Sequence, residues 1–374
     1  MKETLTIKNF GPIKDITLEL GKVNVLIGEQ GMGKSTIAKV LAHATSYEFR
    51  NFFMHNFSKP FNTLVDFNIK EYLQKDNSNI IFESDSFKLE NETYTLKDDL
   101  IDRLYQEGLK TVTFEDEKIK GYRKIEIETH NKFGFPVFIP TERLAMFFLQ
   151  SDVFSLNQFK QYPNSFPKYF NEYGKSFNVA KKALKNKEQL DFKTEFKIEF
   201  DLDNNDNLLI KVNGITHDIL QSASGYQSIA PILIVLRFYQ QNFESSFKYR
   251  YILEEPELHL FPSIQNDLVR FLAESTNGNA HSLTLTTHSP YTLTSLNNLM
   301  FAYQLGQKNE EEVDKIIPKK YWLNPSDVSA YYLSNGKAES IIDETGLIDA
   351  TKIDGISEIN NEEYDKLCEI KFGK

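Results

Sequence analysis

A chain of 374 residues with 40% hydrophobic and 26% charged side chains can bury one large core or two smaller ones, which excludes a predominantly disordered protein. Its formal net charge of -10 argues against a surface that binds nucleic acid throughout, while leaving room for a local basic groove. The single cysteine, Cys368, excludes an intrachain disulfide; residues 1–10 lack a signal-peptide core, and the longest apolar run, 229–236, is far too short to cross a bilayer. A cytoplasmic protein without membrane contact is therefore expected.

Apolar residues alternate at Leu5 and Ile7 and again at Ile16, Leu18 and Leu20, so residues 4–20 are expected to form two strands turning at Gly11-Pro12 and ending at Gly21. Val23-Asn24-Val25-Leu26-Ile27 reads as a buried strand. It runs into Gly28-Glu29-Gln30-Gly31-Met32-Gly33-Lys34-Ser35, which fits the phosphate-binding loop pattern G-x-x-x-x-G-K-[S/T]. From Thr36 the apolar spacing is helical to about residue 46. Strand, glycine loop and helix start together make an anion cradle: backbone N–H groups and the helix dipole favour negative charge, and glycines let the backbone approach closely. Gly28, Gly31, Gly33, Lys34, Ser35 and Thr36 are the expected nucleotide-binding residues, with Lys34 reaching the β- and γ-phosphates and the Ser35 hydroxyl on Mg²⁺.

Residues 62–140 are expected to be largely antiparallel, with strands at 63–69, 80–89 and 118–128 and a short helix at 100–109. The apolar run Phe135-Pro136-Val137-Phe138-Ile139-Pro140 fits a strand returning to the core sheet. Thr141-Glu142-Arg143 follows it, either as a ligand contact at a strand end or as a solvent-exposed loop. Residues 144–187 are helical in pattern and aromatic-rich. With 47–61 they hold much of the 13% aromatic content, as fillers of small cores or as a face for a partner protein. Lysines across 180–187 fit a solvated helix face better than phosphate-backbone contacts. A hairpin is expected from 192–202 and 208–212 around Asp203-Asn204-Asn205-Asp206-Asn207.

Gln221-Ser222-Ala223-Ser224-Gly225-Tyr226-Gln227-Ser228 precedes a long apolar helix and reads as a second anion site or simply as an N-cap. Tyr249-Arg250-Tyr251-Ile252-Leu253 is a buried strand ending in Glu254-Glu255-Pro256-Glu257, where like charges this close call for a cation. In a phosphate-loop protein the first acidic residue there binds Mg²⁺ through water, and a neighbouring carboxylate orients or deprotonates the attacking water. A third strand, 282–287, ends at His288, a candidate for touching the γ-phosphate. Beyond about 308 the chain is polar and acidic, with a turn near 322–328, a strand at 328–333 and an amphipathic helical pattern at 362–370.

The order of these elements resembles the ATPase heads of the ABC superfamily, and most of all the branch that includes the RecF, SMC and overcoming-lysogenization-defect ATPases. Leu5-Thr6-Ile7-Lys8-Asn9-Phe10-Gly11-Pro12-Ile13 looks like that branch's first strand, and Glu254-Glu255-Pro256-Glu257-Leu258-His259-Leu260 like its Walker B and D-loop region. Ala223-Ser224-Gly225-Tyr226-Gln227 stands where the signature Leu-Ser-Gly-Gly-Gln would be, and His288 where the switch histidine would be. Three departures stand out: Glu254 replaces the usual aspartate, Tyr226 replaces the second signature glycine, and Thr141-Glu142-Arg143 occupies the place of the Q-loop glutamine.

The resemblance implies an α/β fold: a phosphate-loop ATPase head with a mixed core sheet, an antiparallel β subdomain and a helical lobe carrying the signature. The head would span 1–307, with lobe I at 1–143 and 245–307 and the helical lobe at 144–244, followed by an acidic extension at 308–374. Residues 144–221 lack sustained heptads, so a long coiled-coil arm is excluded; there is no transporter span, and the tail is too short for a nuclease domain. What remains is a compact, stand-alone head of the kind found in anti-phage defence operons. It implies a homodimer or higher homo-oligomer sandwiching ATP and Mg²⁺: Lys34 and Ser35 of one subunit opposite Ser224 and Gly225 of the other, Glu254 toward the metal, Glu255 activating water and His288 sensing the γ-phosphate. A separate nuclease or toxin would be the effector. The alternative is a repair or recombination ATPase that clamps DNA.

Overall fold

The computed structural model describes residues 3–53, 69–72, 77–84, 87–91, 93–96, 134–147, 167–184, 192, 196–241, 249–277, 280–349 and 351–372. In chain order, strands β1 (Glu3–Phe10), β2 (Ile13–Leu20) and β3 (Val23–Gly28) lead into helix α1 (Lys34–Phe53). Short strands β4 (Asn79–Glu83), β5 (Phe87–Glu90) and β6 (Thr93–Leu96) precede β7 (Phe135–Ile139). Then come α2 (Lys168–Ala183), β8 (Ile198–Leu202), β9 (Leu208–Val212), β10 (Ile215–Asp218) and α3 (Ser224–Gln241). The series closes with β11 (Tyr249–Glu254), α4 (Pro262–Asn277), β12 (Ala280–Thr287), α5 (Pro290–Gly306), α6 (Glu310–Ile316), β13 (Val328–Ser334), β14 (Lys337–Ser340) and α7 (Thr351–Phe372).

The core is a six-stranded sheet in the order β14-β13-β3-β12-β11-β7, parallel throughout except for the β14 edge. Every residue of β3 and β11 is buried, as expected for parallel strands covered on both faces. Helix α1 packs on β3, β7, β11 and β12, and α5 packs on α4, which packs on β12. A separate antiparallel sheet runs β2-β1-β4-β5-β6, and a three-stranded one runs β10-β9-β8. In the first, Leu5, Ile7 and Phe10 of β1 and Ile13, Ile16, Leu18 and Leu20 of β2 point inward, the period-two pattern seen in the sequence. The mixed core sheet, the antiparallel sheets and the helical segment around α2 and α3 realise the fold class expected from the sequence.

Several local expectations change. Helix α1 runs to Phe53, past residue 46. The single strand expected at 80–89 is two antiparallel strands, β4 and β5, because the polar Ser84-Asp85-Ser86 interrupts the alternation. The strand expected from 192 begins only at Ile198: Phe196 N–H bonds the Phe192 carbonyl at 3.0 Å, and Lys197 takes φ 55. A further strand, β10, follows Asn213 (φ 51) and Gly214 (φ 82), the Asn-Gly hairpin turn in which both residues need positive φ. The expectations for 63–68, 100–109 and 118–128 lie outside the described residues. Of the second aromatic stretch, Tyr169, Phe170, Tyr173 and Phe177 are buried, which favours the core-filling reading there.

The core sheet does not stop at residue 307. Strand β13 pairs in parallel with β3 from Val328 opposite Val23 to Leu333 opposite Gly28, and β14 closes that edge. Helix α7 is present, but its described side chains, 361–372, are exposed except for a half-buried Cys368, so the amphipathic pattern expected at 362–370 buries no face. Among the described residues no helix is long and apolar enough to cross a membrane.

Candidate functional site

The site forms where β3, β11 and β12 end at the carboxyl edge of the core sheet, the usual ligand position in such sheets. Strand β3 delivers the phosphate loop. Gly28 takes φ 148 and Gly33 φ 99, values that side-chain-bearing residues rarely adopt. A Cβ at Gly28 would collide with the Leu333 carbonyl, and one at Gly33 would press on Ile13 Cγ1 at 3.0 Å, so both positions also need the missing side chain for packing. Gly31, at φ 80, faces open space, and Thr36 is buried in α1. Lys34 is buried. Its Nζ donates to the carbonyls of Gly28 (2.7 Å) and Glu29 (2.8 Å), so the ammonium is held by the first residues of its own loop. Burial lowers its pKa, and the charges of Glu255 and Glu257 oppose that shift.

Strand β11 delivers the carboxylates. Glu254 is 1% exposed. Burial raises its pKa to about 7, with a hydrogen bond from Ser35 and the charge of Lys39 acting the other way. Its Oε1 is buried and has no hydrogen-bond partner. An orphaned, buried carboxylate oxygen beside the Ser35 hydroxyl fits a hard divalent cation, which takes oxygen ligands. Among the described residues no three His, Cys, Asp or Glu side chains converge as a self-sufficient metal site, so such a cation would share its coordination with phosphate and water.

Glu255 sits at φ 42, a left-handed conformation uncommon for a residue with a side chain. Its N–H donates to the Thr286 carbonyl (3.0 Å) and to Thr286 Oγ1 (3.1 Å) on β12. Its carboxylate Oε1 lies 3.4 Å from His288 Nε2, and both side chains are partly exposed. Lys34, Ser35, Glu254, Glu255 and His288, predicted from three separate stretches, therefore gather at one edge. Ser224 is exposed and Gly225 half-buried at the start of α3. They open α3 against the segment after β11, where a Cβ on Gly225 would stand 3.1 Å from the His259 carbonyl. The Gln227 amide donates to the carbonyls of Ile219 (3.2 Å), Leu220 (3.2 Å) and Ser222 (3.1 Å), tying α3 to the turn before it.

Two residues at the site were not assigned roles from sequence. Glu257 is buried: Oε1 accepts from Thr287 Oγ1 (2.6 Å) and from His288 N–H (2.9 Å), Oε2 has no hydrogen-bond partner, and burial raises its pKa. It thus fixes the backbone that carries His288. The signal was its place in the carboxylate triplet. Arg143 is fully buried; the loop reading of Thr141-Glu142-Arg143 therefore fails for this residue, which points inward from the 3₁₀ turn Thr141–Phe147 and not toward water. Glu142 beside it accepts from Tyr169 Oη at 3.0 Å and contributes negative charge at Glu254.

Fold and site together define a phosphate-loop ATPase. A family model described as the AAA ATPase domain matches residues 1–218 and 149–293, and the chain belongs to that family; it binds ATP and hydrolyses it. Solved structures with similar folds include the SMC head domain from Thermotoga maritima, at 12% identity and a TM-score of 0.39 over 91% of this chain and 98% of that one. The Smc head domain with an extended coiled coil bound to the C-terminal domain of ScpA, from Pyrococcus furiosus, is similar at 11% identity and a TM-score of 0.41, over 96% and 99% of the two chains. A nucleotide-free ATP-binding cassette from an ABC transporter is similar at 11% identity and a TM-score of 0.34, over 92% and 93%. No curated protein matches the chain.

Proposed function

We propose that this ATPase is a nucleotide-gated homodimer that controls a separate effector protein, a nuclease or toxin, in anti-phage defence. The observation that supports the dimer is the exposed start of α3 at Ser224. The phosphate loop, Glu254, Glu255 and His288 share one edge, while Ser224 and Gly225 open a helix against His259. A second copy, facing the first, would bring its signature helix to the phosphates and complete the site.

In this reading Lys34 exchanges its bonds to the Gly28 and Glu29 carbonyls for the β- and γ-phosphates. Ser35 and Glu254 would hold Mg²⁺, which would supply neutralisation of phosphate charge. Glu255 takes the proton from the attacking water, and His288, 3.4 Å away, holds that carboxylate and reads the γ-phosphate. Hydrolysis then removes the contacts shared across the dimer, an order change of the kind γ-phosphate loss produces elsewhere. The head, on this view, comprises 1–307 together with the strands at 328–340, in a cytoplasmic protein.

The test is capture of partners from the native host by Glu255→Gln with ATP and Mg²⁺ present. A stoichiometric nuclease or toxin supports effector gating. Nuclease-resistant DNA without a protein partner replaces it with the repair-clamp reading. ATPase activity per subunit that stays constant on dilution below the dimer dissociation constant overturns the composite site.

A further inference from the structure

The most densely bonded side chain in the site is not among the groups that would touch nucleotide. The Arg143 guanidinium donates through Nη1 to the carbonyls of Pro140 (3.2 Å) and Glu254 (3.0 Å), and through Nη2 to the carbonyl of Glu255 (2.7 Å) and to Ser228 Oγ (3.1 Å). Its Nε donates to the Ser228 carbonyl at 3.1 Å. Both Arg143 and Ser228 are fully buried. Burying a guanidinium is costly unless its donors are satisfied, and here each nitrogen has a carbonyl or hydroxyl acceptor.

The partners matter more than their number. Glu255 occupies φ 42, and a residue in so sparsely populated a region stays there only when its surroundings over-determine it. Its N–H is held by Thr286, and its carbonyl accepts from Arg143 (2.7 Å) and from Leu258 N–H (3.1 Å). The peptide groups on both sides of the strained residue are thus clamped, one by β12 and the other by the arginine together with the turn to Leu258. The other end of the same guanidinium grips Ser228, four residues into the helix that opens with Ser224 and Gly225.

We propose that Arg143 is a positioning residue for ATP hydrolysis: it holds Glu255 in its left-handed conformation and ties that geometry to the signature helix through Ser228. The carboxylate's aim and the position of α3 then cannot change independently. In the dimer, that would link hydrolytic geometry at one nucleotide to the signature contact a subunit makes with the other. A lysine cannot replace the fork, because one ammonium cannot span carbonyls on two elements and a hydroxyl on a third.

The proposal rests on Glu255 as the water-activating carboxylate, and the test separates the two. Steady-state ATPase is measured for Arg143→Lys, Ser228→Ala and Glu255→Gln, alone and as Arg143→Lys/Glu255→Gln, alongside ATP affinity from a fluorescent analogue and cooperative thermal unfolding. Folded Arg143→Lys is expected to lose about a hundredfold in kcat, the scale of a small misplacement of a reacting group, with ATP affinity within about twofold of wild type. Ser228→Ala, which removes one link, is expected to lose several-fold. In the Glu255→Gln background Arg143→Lys should cost nothing further. Wild-type kcat in folded Arg143→Lys, an equal loss of ATP affinity and kcat, or additive losses in the double variant each overturn the proposal. If Arg143→Lys does not fold, Ser228→Ala decides: unchanged kcat in the folded protein refutes the link. Wild-type hydrolysis by Glu255→Gln refutes the carboxylate's role itself, whatever Arg143 does.

Discussion

Glu254→Gln should make the nucleotide-free, metal-free protein more stable at alkaline pH while weakening its use of Mg²⁺. Burial raises the Glu254 pKa from 4.5 to about 7. Between those values the folded state binds the proton more tightly than the unfolded state, so stability falls as pH rises. The penalty is absent below the unfolded value and fully present above the folded one. A shift of this size corresponds to about 3 kcal/mol, of which about 2 kcal/mol develops between pH 5 and pH 8. Glutamine removes this titration. Its amide nitrogen would occupy the place of Oε1, which has no partner, and an unsatisfied buried donor costs about 1 kcal/mol at every pH. The variant should therefore be slightly less stable than wild type near pH 5 and more stable near pH 8. Urea denaturation of both proteins in chelator at the two pH values reads the difference directly. Parallel pH dependence of wild type and variant would refute the claim that Glu254 carries this penalty.

Glu255→Gln should lower the rate of hydrolysis by about 10²–10⁴-fold, the usual contribution of a general base, while keeping ATP affinity; rapid-quench kinetics beside equilibrium binding checks the split. Gly225→Ala places a methyl 3.1 Å from the His259 carbonyl, so it should shift the signature start and depress ATPase activity without weakening nucleotide binding by the isolated subunit. The assay is activity against protein concentration, and unchanged activity at every concentration would remove the signature from the mechanism. Gly306→Ala drives a methyl into the indole of Trp322, the chain's single tryptophan, and should cost about 1–3 kcal/mol by overpacking, visible as an earlier unfolding transition in tryptophan fluorescence.

What was legible in the sequence is what a linear pattern encodes. The phosphate loop joins β3 to α1 in one stretch, and Glu254, Glu255 and His288 each end an apolar run, so their convergence follows from parallel strands. The Asn213-Gly214 hairpin is equally local, an Asn-Gly pair directly after an apolar strand, and the Asn-rich turn on that strand's other side masks it. Arg143 is a different case. Its acceptors on Ser228, Glu254 and Glu255 lie 85, 111 and 112 residues away, so nothing around Thr141-Glu142-Arg143 distinguishes a buried guanidinium from an exposed one. Glu257 was visible as one more carboxylate, but that it holds the His288 backbone depends on the register of β11 against β12.

The extent of the head was the least legible feature, because β13 finds its partner some three hundred residues upstream. Its consequence reaches the phosphate loop. Leu333 pairs with Gly28, and its carbonyl fills the space a Cβ at Gly28 would need. Beyond β13, the Gly336 carbonyl accepts N–H bonds from Lys14 (2.8 Å) and Asp15 (3.2 Å), just past the turn whose Pro12 and Ile13 side chains pack on Gly33. The loop's first glycine is thus backed by β13 itself. Its last glycine rests on a turn that the β13–β14 hairpin holds in place. The acidic extension expected after residue 307 therefore contains, beyond α6, strands that back the phosphate loop, and only after them does the chain reach α7, whose side chains at 361–372 are left almost wholly to solvent.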